Sequence, residues 1–89
     1  MAWNIEIKPA AEKALDKLDN QIAKRILKFM HDRIAGLDNP CSIGEALSGP
    51  LGDFWKYRVG SYRVICDIQD DIITILVLAI GDRKEVYRR

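Results

Sequence analysis

This sequence predicts an α+β fold in the order β-α-α-β-β-β, a two-helix hairpin packed on a mainly antiparallel four-stranded sheet. Three observations carry that expectation. The chain opens on a short apolar–polar alternation, its first half holds two apolar stripes at helical spacing, and its second half holds three strand-like runs parted by turn dipeptides. At 89 residues there is room for one such domain, spanning 1–89.

Trp3, Ile5 and Ile7 alternate with Asn4, Glu6 and Lys8, as in a half-buried strand. Pro9 suits the first position of a helix and Glu12 favours its dipole. Ala11, Ala14, Leu15 and Leu18 then recur at i, i+3, i+4 and i+7, a helix of about ten residues. Asp19-Asn20 breaks it and can cap the next, whose stripe is Ile22, Ile26, Phe29, Met30, Ile34 and Leu37, ending near Gly36. Asn39-Pro40 opens an irregular connection through Cys41, Gly44, Gly49 and Gly52. Strands are expected over Phe54–Val59, Tyr62–Gln69 and Ile72–Ile80. Gly60-Ser61 fits a two-residue type II′ hairpin, and Asp70-Asp71 a second, chemically weaker turn.

Composition excludes more than it assigns. The longest apolar run falls well short of the roughly 18 residues of a membrane span. Glu6 and Lys8 inside the first ten residues do not read as a signal peptide. Cys41 and Cys66 lack CxxC spacing and suit a reducing cytosol, and with His31 the sole histidine no metal or cofactor set is expected. Cys66 reads as a small buried hydrophobe, and Cys41, with no partner in motif spacing, as a poor nucleophile. Formal net charge is +1, yet residues 54–89 carry 7 Lys/Arg against 5 Asp/Glu, whereas residues 1–53 carry 7 against 8.

The geometry of the first hairpin gives that mild excess a place. If Gly60-Ser61 closes it, Val59 pairs with Tyr62 and Arg58 stands opposite Arg63. Period-2 alternation then puts Trp55, Tyr57, Val59, Tyr62, Val64, Cys66, Ile68, Ile73, Ile75, Val77 and Ala79 on the face that covers the helices. Lys56, Arg58, Arg63, Ile65 and Asp67 fall on the other, with Leu76 and Leu78 exposed alongside. Directly opposed like charges cost roughly 0.2–1 kcal/mol in a sheet. A face that carries three cations at that cost is either a solvated surface whose cations pair with Asp67 or a C-terminal Glu, or an anion site, with phosphate the obvious anion. Arg83, beyond the last strand that Gly81 ends, can fold back toward the cluster, and Tyr87 could stack on an unpaired base.

The stretch Leu47-Ser48-Gly49 followed by Phe54-Trp55-Lys56-Tyr57-Arg58-Val59-Gly60-Ser61-Tyr62-Arg63-Val64-Ile65, with the ending Ala79-Ile80-Gly81-Asp82-Arg83-Lys84-Glu85-Val86-Tyr87, resembles the RelE/ParE superfamily of toxins from type II toxin–antitoxin modules. The ending leans toward the RelE-like branch. That resemblance implies a cytoplasmic, ribosome-dependent mRNA endoribonuclease that enters the A site, where the 2′-hydroxyl attacks the adjacent phosphate. It implies catalytic roles for Lys56, Arg58, Arg63, Arg83 and Tyr87, and needs no cofactor, metal or membrane. It further implies neutralisation by a cognate RelB-like antitoxin and operator-DNA binding by the complex through the antitoxin, and the cationic face beside Leu76 and Leu78 predicts an acidic or amphipathic antitoxin segment that orders on it. The position of Arg58 is often lysine in that branch. Arginine does not deprotonate in proteins, so Lys56 or a substrate or ribosomal group must take the proton, or no strong base exists. The same fold also serves ParE-like toxins, which poison DNA gyrase without cutting RNA, and a non-catalytic nucleic-acid-binding member is a third reading. The set Lys56, Arg58, Arg63, Arg83 and Tyr87 discriminates: an RNA-cutting member needs it and a gyrase poison does not.

Overall fold

The computed structural model describes residues 3–47 and 54–82. Within them run β1 (Asn4–Ile7), α1 (Pro9–Lys17), α2 (Asn20–Lys28), β2 (Glu45–Ala46), β3 (Trp55–Val59), β4 (Tyr62–Gln69) and β5 (Thr74–Asp82). They build one sheet in the order β1-β5-β4-β3-β2, with β1 parallel to β5 and every other pair antiparallel. The fold is the α+β arrangement the sequence predicts, with one strand more. β2 has two residues, too few for alternation to announce it.

The first helix begins as its sequence dictates, and the second starts where expected but without the expected cap. Pro9 occupies the first turn of α1, where its missing N–H costs nothing, with Glu12 beside the positive end and Lys17 at the negative end. Asp19 stands at the cap position of α2, but its side chain makes no capping bond. α2 then widens into a π-helical turn over Phe29–Ile34, closed by the Ala35 N–H donating to the Met30 carbonyl at 2.9 Å. Ile26, Met30 and Ile34 are all buried, each four residues after the last. A stripe of that spacing drifts around an α-helix of 3.6 residues per turn, and the wider turn reduces the drift. These three side chains and Ala11 and Leu15 of α1 meet Tyr57, Val59, Val64, Cys66, Ile75, Val77 and Ile80 of the sheet in one core.

The two hairpins differ from each other. In the first, Val59 faces Tyr62 and Arg58 faces Arg63, and Gly60 alone of the turn pair has a positive φ, +61°, as a type II′ turn requires. In the second, the two-residue turn expected at Asp70-Asp71 is replaced by a 3₁₀ turn over Asp70–Ile72. Ile73 then sits in the left-handed region at φ 48°, so β5 begins at Thr74 rather than Ile72. The turn is tied by Ile73 N–H to the Asp70 carbonyl at 3.2 Å and by the Thr74 hydroxyl donating to the Ile72 carbonyl at 2.9 Å. A β-branched residue at positive φ is strained by about 1–3 kcal/mol.

Further along β5 the alternation breaks. Cys66 pairs with Val77 and Ile65 with Ala79, so Leu78 is an extra residue in a β-bulge. The bulge inverts the phase. Ala79, expected inward, takes the outer register opposite Ile65, and Ile80 takes the core position opposite Val64. Gly81 does not end the strand: it pairs with Arg63, and Asp82 pairs with Tyr62. Leu76 and Leu78, expected exposed, are half-buried.

Candidate functional site

The register of the β3–β4 hairpin places Arg58 directly opposite Arg63, with Lys56 two residues along the same face and opposite Ile65. These three side chains meet three environments. Arg58 is exposed, Arg63 is 7% exposed, and the Lys56 side chain is 16% exposed. Lys56 and Arg63 are both engaged with other groups. An anion approaching this face therefore meets Arg58 first, with two partly desolvated cations behind it, and charge interactions strengthen as water is excluded.

Among the described residues, one partner of Lys56 is an acid that the sequence reading does not single out. The Lys56 Nζ lies 3.9 Å from Glu45 Oε2 on β2, the strand the alternation does not reveal. Asp67, an expected partner, instead accepts from Gln69 Nε2 at 3.1 Å and faces Leu76. The other expected partner, a C-terminal Glu, lies outside the described residues, as do Arg83 and Tyr87.

Glu45 is delivered by a loop pinned from the inner side of β3. The Tyr57 hydroxyl donates to the Pro40 carbonyl at 2.6 Å, and Trp55 Nε1 donates to the Ile43 carbonyl at 2.7 Å. Asn39 accepts from the Cys41 N–H at 3.0 Å, an Asx turn that starts the segment. Gly44 follows at φ +81°, where a Cβ would stand 2.5 Å from the Lys56 carbonyl oxygen and 2.7 Å from Trp55 Nε1. Only glycine lets the loop approach β3 so closely. Phe29 packs edge-on against the Tyr57 ring at a centroid distance of 6.1 Å.

Burial pushes the Tyr57 phenol well above its ordinary range, with the Cys66 and Cys41 thiols adding to the effect, so it stays protonated as the donor to Pro40. Burial also raises the Cys66 thiol, whose side chain is enclosed in the core as expected. Cys41 is exposed, but desolvation and the Asp70 carboxylate hold its thiol in the protonated form, and a thiol is a poor nucleophile. Among the described residues no group of three or more His, Cys, Asp or Glu could hold a metal ion, and no helix is long and apolar enough to cross a membrane.

Residues 5–87 match the family described as the ParE toxin of type II toxin–antitoxin system, parDE. Toxin RelG of Mycobacterium tuberculosis is 26% identical over 89 residues, covering 100% of both chains. Among solved structures, the toxin–antitoxin complex RelBE2 from Mycobacterium tuberculosis superposes with a TM-score of 0.85 at 23% identity, over 93% of each chain. The archaeal RelE–RelB complex from Pyrococcus horikoshii superposes at 0.71 and 26% identity, over 93% of this chain and 97% of that one. The likeness to these structures is one of fold.

Proposed function

The chain belongs to the ParE toxin family of type II toxin–antitoxin systems, and on that premise we propose that it is a ribosome-dependent mRNA endoribonuclease held silent by a cognate RelB-like antitoxin. The observation that carries this reading is Arg58 opposite Arg63 with Lys56 beside them, three cations on the sheet face turned away from the helices.

Attack of a 2′-hydroxyl on the adjacent phosphate gives a 2′,3′-cyclic phosphate and a 5′-hydroxyl, through a phosphorane that carries extra negative charge. Cations held in place before the reaction stabilise that charge without having to reorganise. Arg58, exposed and always protonated, reaches the phosphate. Arg63 supports it from a buried position, and Lys56, ion-paired with Glu45, supplies a point charge. Arg83 and Tyr87 complete the proposed set, as a further cation and a base-stacking ring. Arg58 cannot take the 2′-hydroxyl proton, so Lys56 or a substrate or ribosomal group takes it, or no strong base acts and in-line positioning by the ribosome contributes the larger share of the rate.

Purified protein added to translating ribosomes tests the reading. Discrete new 5′-hydroxyl ends within the message, at codons occupying the A site, are expected, and no cutting at all would refute it. The family match itself keeps one second reading, a toxin that binds and poisons DNA gyrase. Inhibition of supercoiling with an intact message would be its signature.

A further inference from the structure

On the other side of Arg58 a second cationic site lies where the hairpin tip meets α2. A cleft of about 420 Å³ is lined by Arg25, Lys28, Arg33 and Arg58, with Asp32, over a floor of Phe29, Val59 and Gly60. The Arg25 guanidinium reaches the tip itself, 3.6 Å from where a Cβ on Gly60 would stand. Arg25, Lys28, Arg33 and Arg58 are exposed, and none of them forms an ion pair with a described residue, Asp32 included. The π-helical turn contributes: its extra residue per turn carries Arg33 round toward the side of Arg25.

We infer that this cleft is a second phosphate subsite, which holds the single-stranded message a nucleotide or more away from the bond that is cut. The inference rests on the reading of the chain as an RNA-cutting toxin. Three features favour RNA over an acidic peptide. Arg58 belongs to both the outer sheet face and the cleft, so a strand crossing the first continues into the second. Three of the four cations are arginines, whose planar guanidinium binds phosphate bidentately and stacks on bases. Arg25 and Arg33 lie roughly 10–12 Å apart along the helix, a stretch of backbone rather than one ion. An amphipathic helix, by contrast, needs an apolar stripe of three or four side chains per two turns, and this floor offers two, Phe29 and Val59.

The test removes the helix cations, all exposed, and leaves Arg58 untouched: Arg25→Gln, Lys28→Gln and Arg33→Gln together. Binding of a labelled single-stranded RNA is measured by anisotropy across a salt series, beside cleavage on translating ribosomes. The triple variant is expected to keep its melting temperature. Its salt slope should be shallower by about 2, at roughly 0.7 per lost phosphate contact, with a raised KM and an unchanged kcat. Asp32→Asn should tighten RNA binding, the opposite sign from the same cleft. An unchanged slope overturns the inference. So does intact binding of free RNA with weaker binding to ribosomes, which would assign the cleft to ribosomal RNA, or with lost affinity for the antitoxin, which would assign it to a peptide. Since anisotropy needs no cutting, a wild-type protein that binds RNA but never cleaves would sink the proposed activity and leave the cleft still under test.

Discussion

The two faces of the β3–β4 hairpin are made of alternate residues and have opposite physical character. On the inner face Tyr57, Val64 and Cys66 have no exposed surface, and they fix the register through packing. On the outer face that same register sets Arg58 against Arg63, an arrangement that works against the strand pairing. The buried face therefore supports the strain of the charged one. A one-residue slip would exchange the two sets and bury the cations, so the core enforces the register the candidate site needs. Stability and activity should then separate residue by residue along a single strand.

Arg58→Ala is the sharpest way to test that separation and carries the largest expected effect. Loss of one preorganised charge contact costs on the order of 10²–10³ in rate, about 2.7–4 kcal/mol in the barrier. Arg58 is exposed and faces another arginine, so the melting temperature should hold or rise slightly. Single-turnover cleavage and thermal melting of the same preparation check both halves. A variant that loses stability along with activity would mean that the outer face also carries fold energy.

Its neighbour Tyr57→Phe should do the reverse. The Pro40 carbonyl would lose a buried donor at 2.6 Å, which costs roughly 1–3 kcal/mol of stability, while the chemistry stays near wild type provided that Glu45 holds its place. The phenol also gives this face a pH signature. Its folded value is raised, so the stabilisation is fully present below the ordinary value of 10.0. Above that the unfolded chain releases the proton and the folded chain keeps it, so stability falls as pH rises. The Phe variant should lose stability less steeply above pH 10 than the wild type, and denaturant melts at pH 8 and pH 11 measure the difference.

How much of this was legible depended on turn chemistry. Gly60-Ser61 announced both the turn and its register, and with it the facing of Arg58 and Arg63. Asp70-Asp71 carried no such signal, because the residue that turns the chain is Ile73, a side chain rarely found at positive φ. The Leu78 bulge was hidden for a related reason: in Leu76-Val77-Leu78-Ala79-Ile80 every residue is apolar, so no alternation marks where the phase changes and Ile80 replaces Ala79 in the core. Glu45 and the Arg25, Lys28 and Arg33 set went unread because each depends on a long-range approach. Gly44 was visible as a glycine, but its contact with β3 is a property of the packed chain.

Glu45→Gln is the finest test, with the smallest expected effect. The carboxylate stands 3.9 Å from Lys56 and is 69% exposed, so the ion pair contributes at most about 1 kcal/mol to stability. Its influence on function should be larger than on fold, and favourable. Glu45 competes with an incoming phosphate for Lys56, and an amide of the same shape removes the competing charge while keeping the loop in place. RNA affinity should rise by a factor of a few at low salt, and the gain should shrink as salt screens the site. Another outcome would be more informative. Since Arg58 cannot act as a base, Glu45 is, among the described residues, a carboxylate beside the cluster that could take a proton from a 2′-hydroxyl. A fall of roughly 10²–10⁴ in single-turnover rate with unchanged RNA affinity would make it the general base. The exposure of Glu45 argues against that. A general base has to be held within hydrogen-bond reach of the proton it takes, whereas this carboxylate is open to water and already engaged by the Lys56 ammonium. The tighter-binding, fully active variant is therefore the expected one, with Glu45 acting to moderate the charge of the outer face rather than to move a proton.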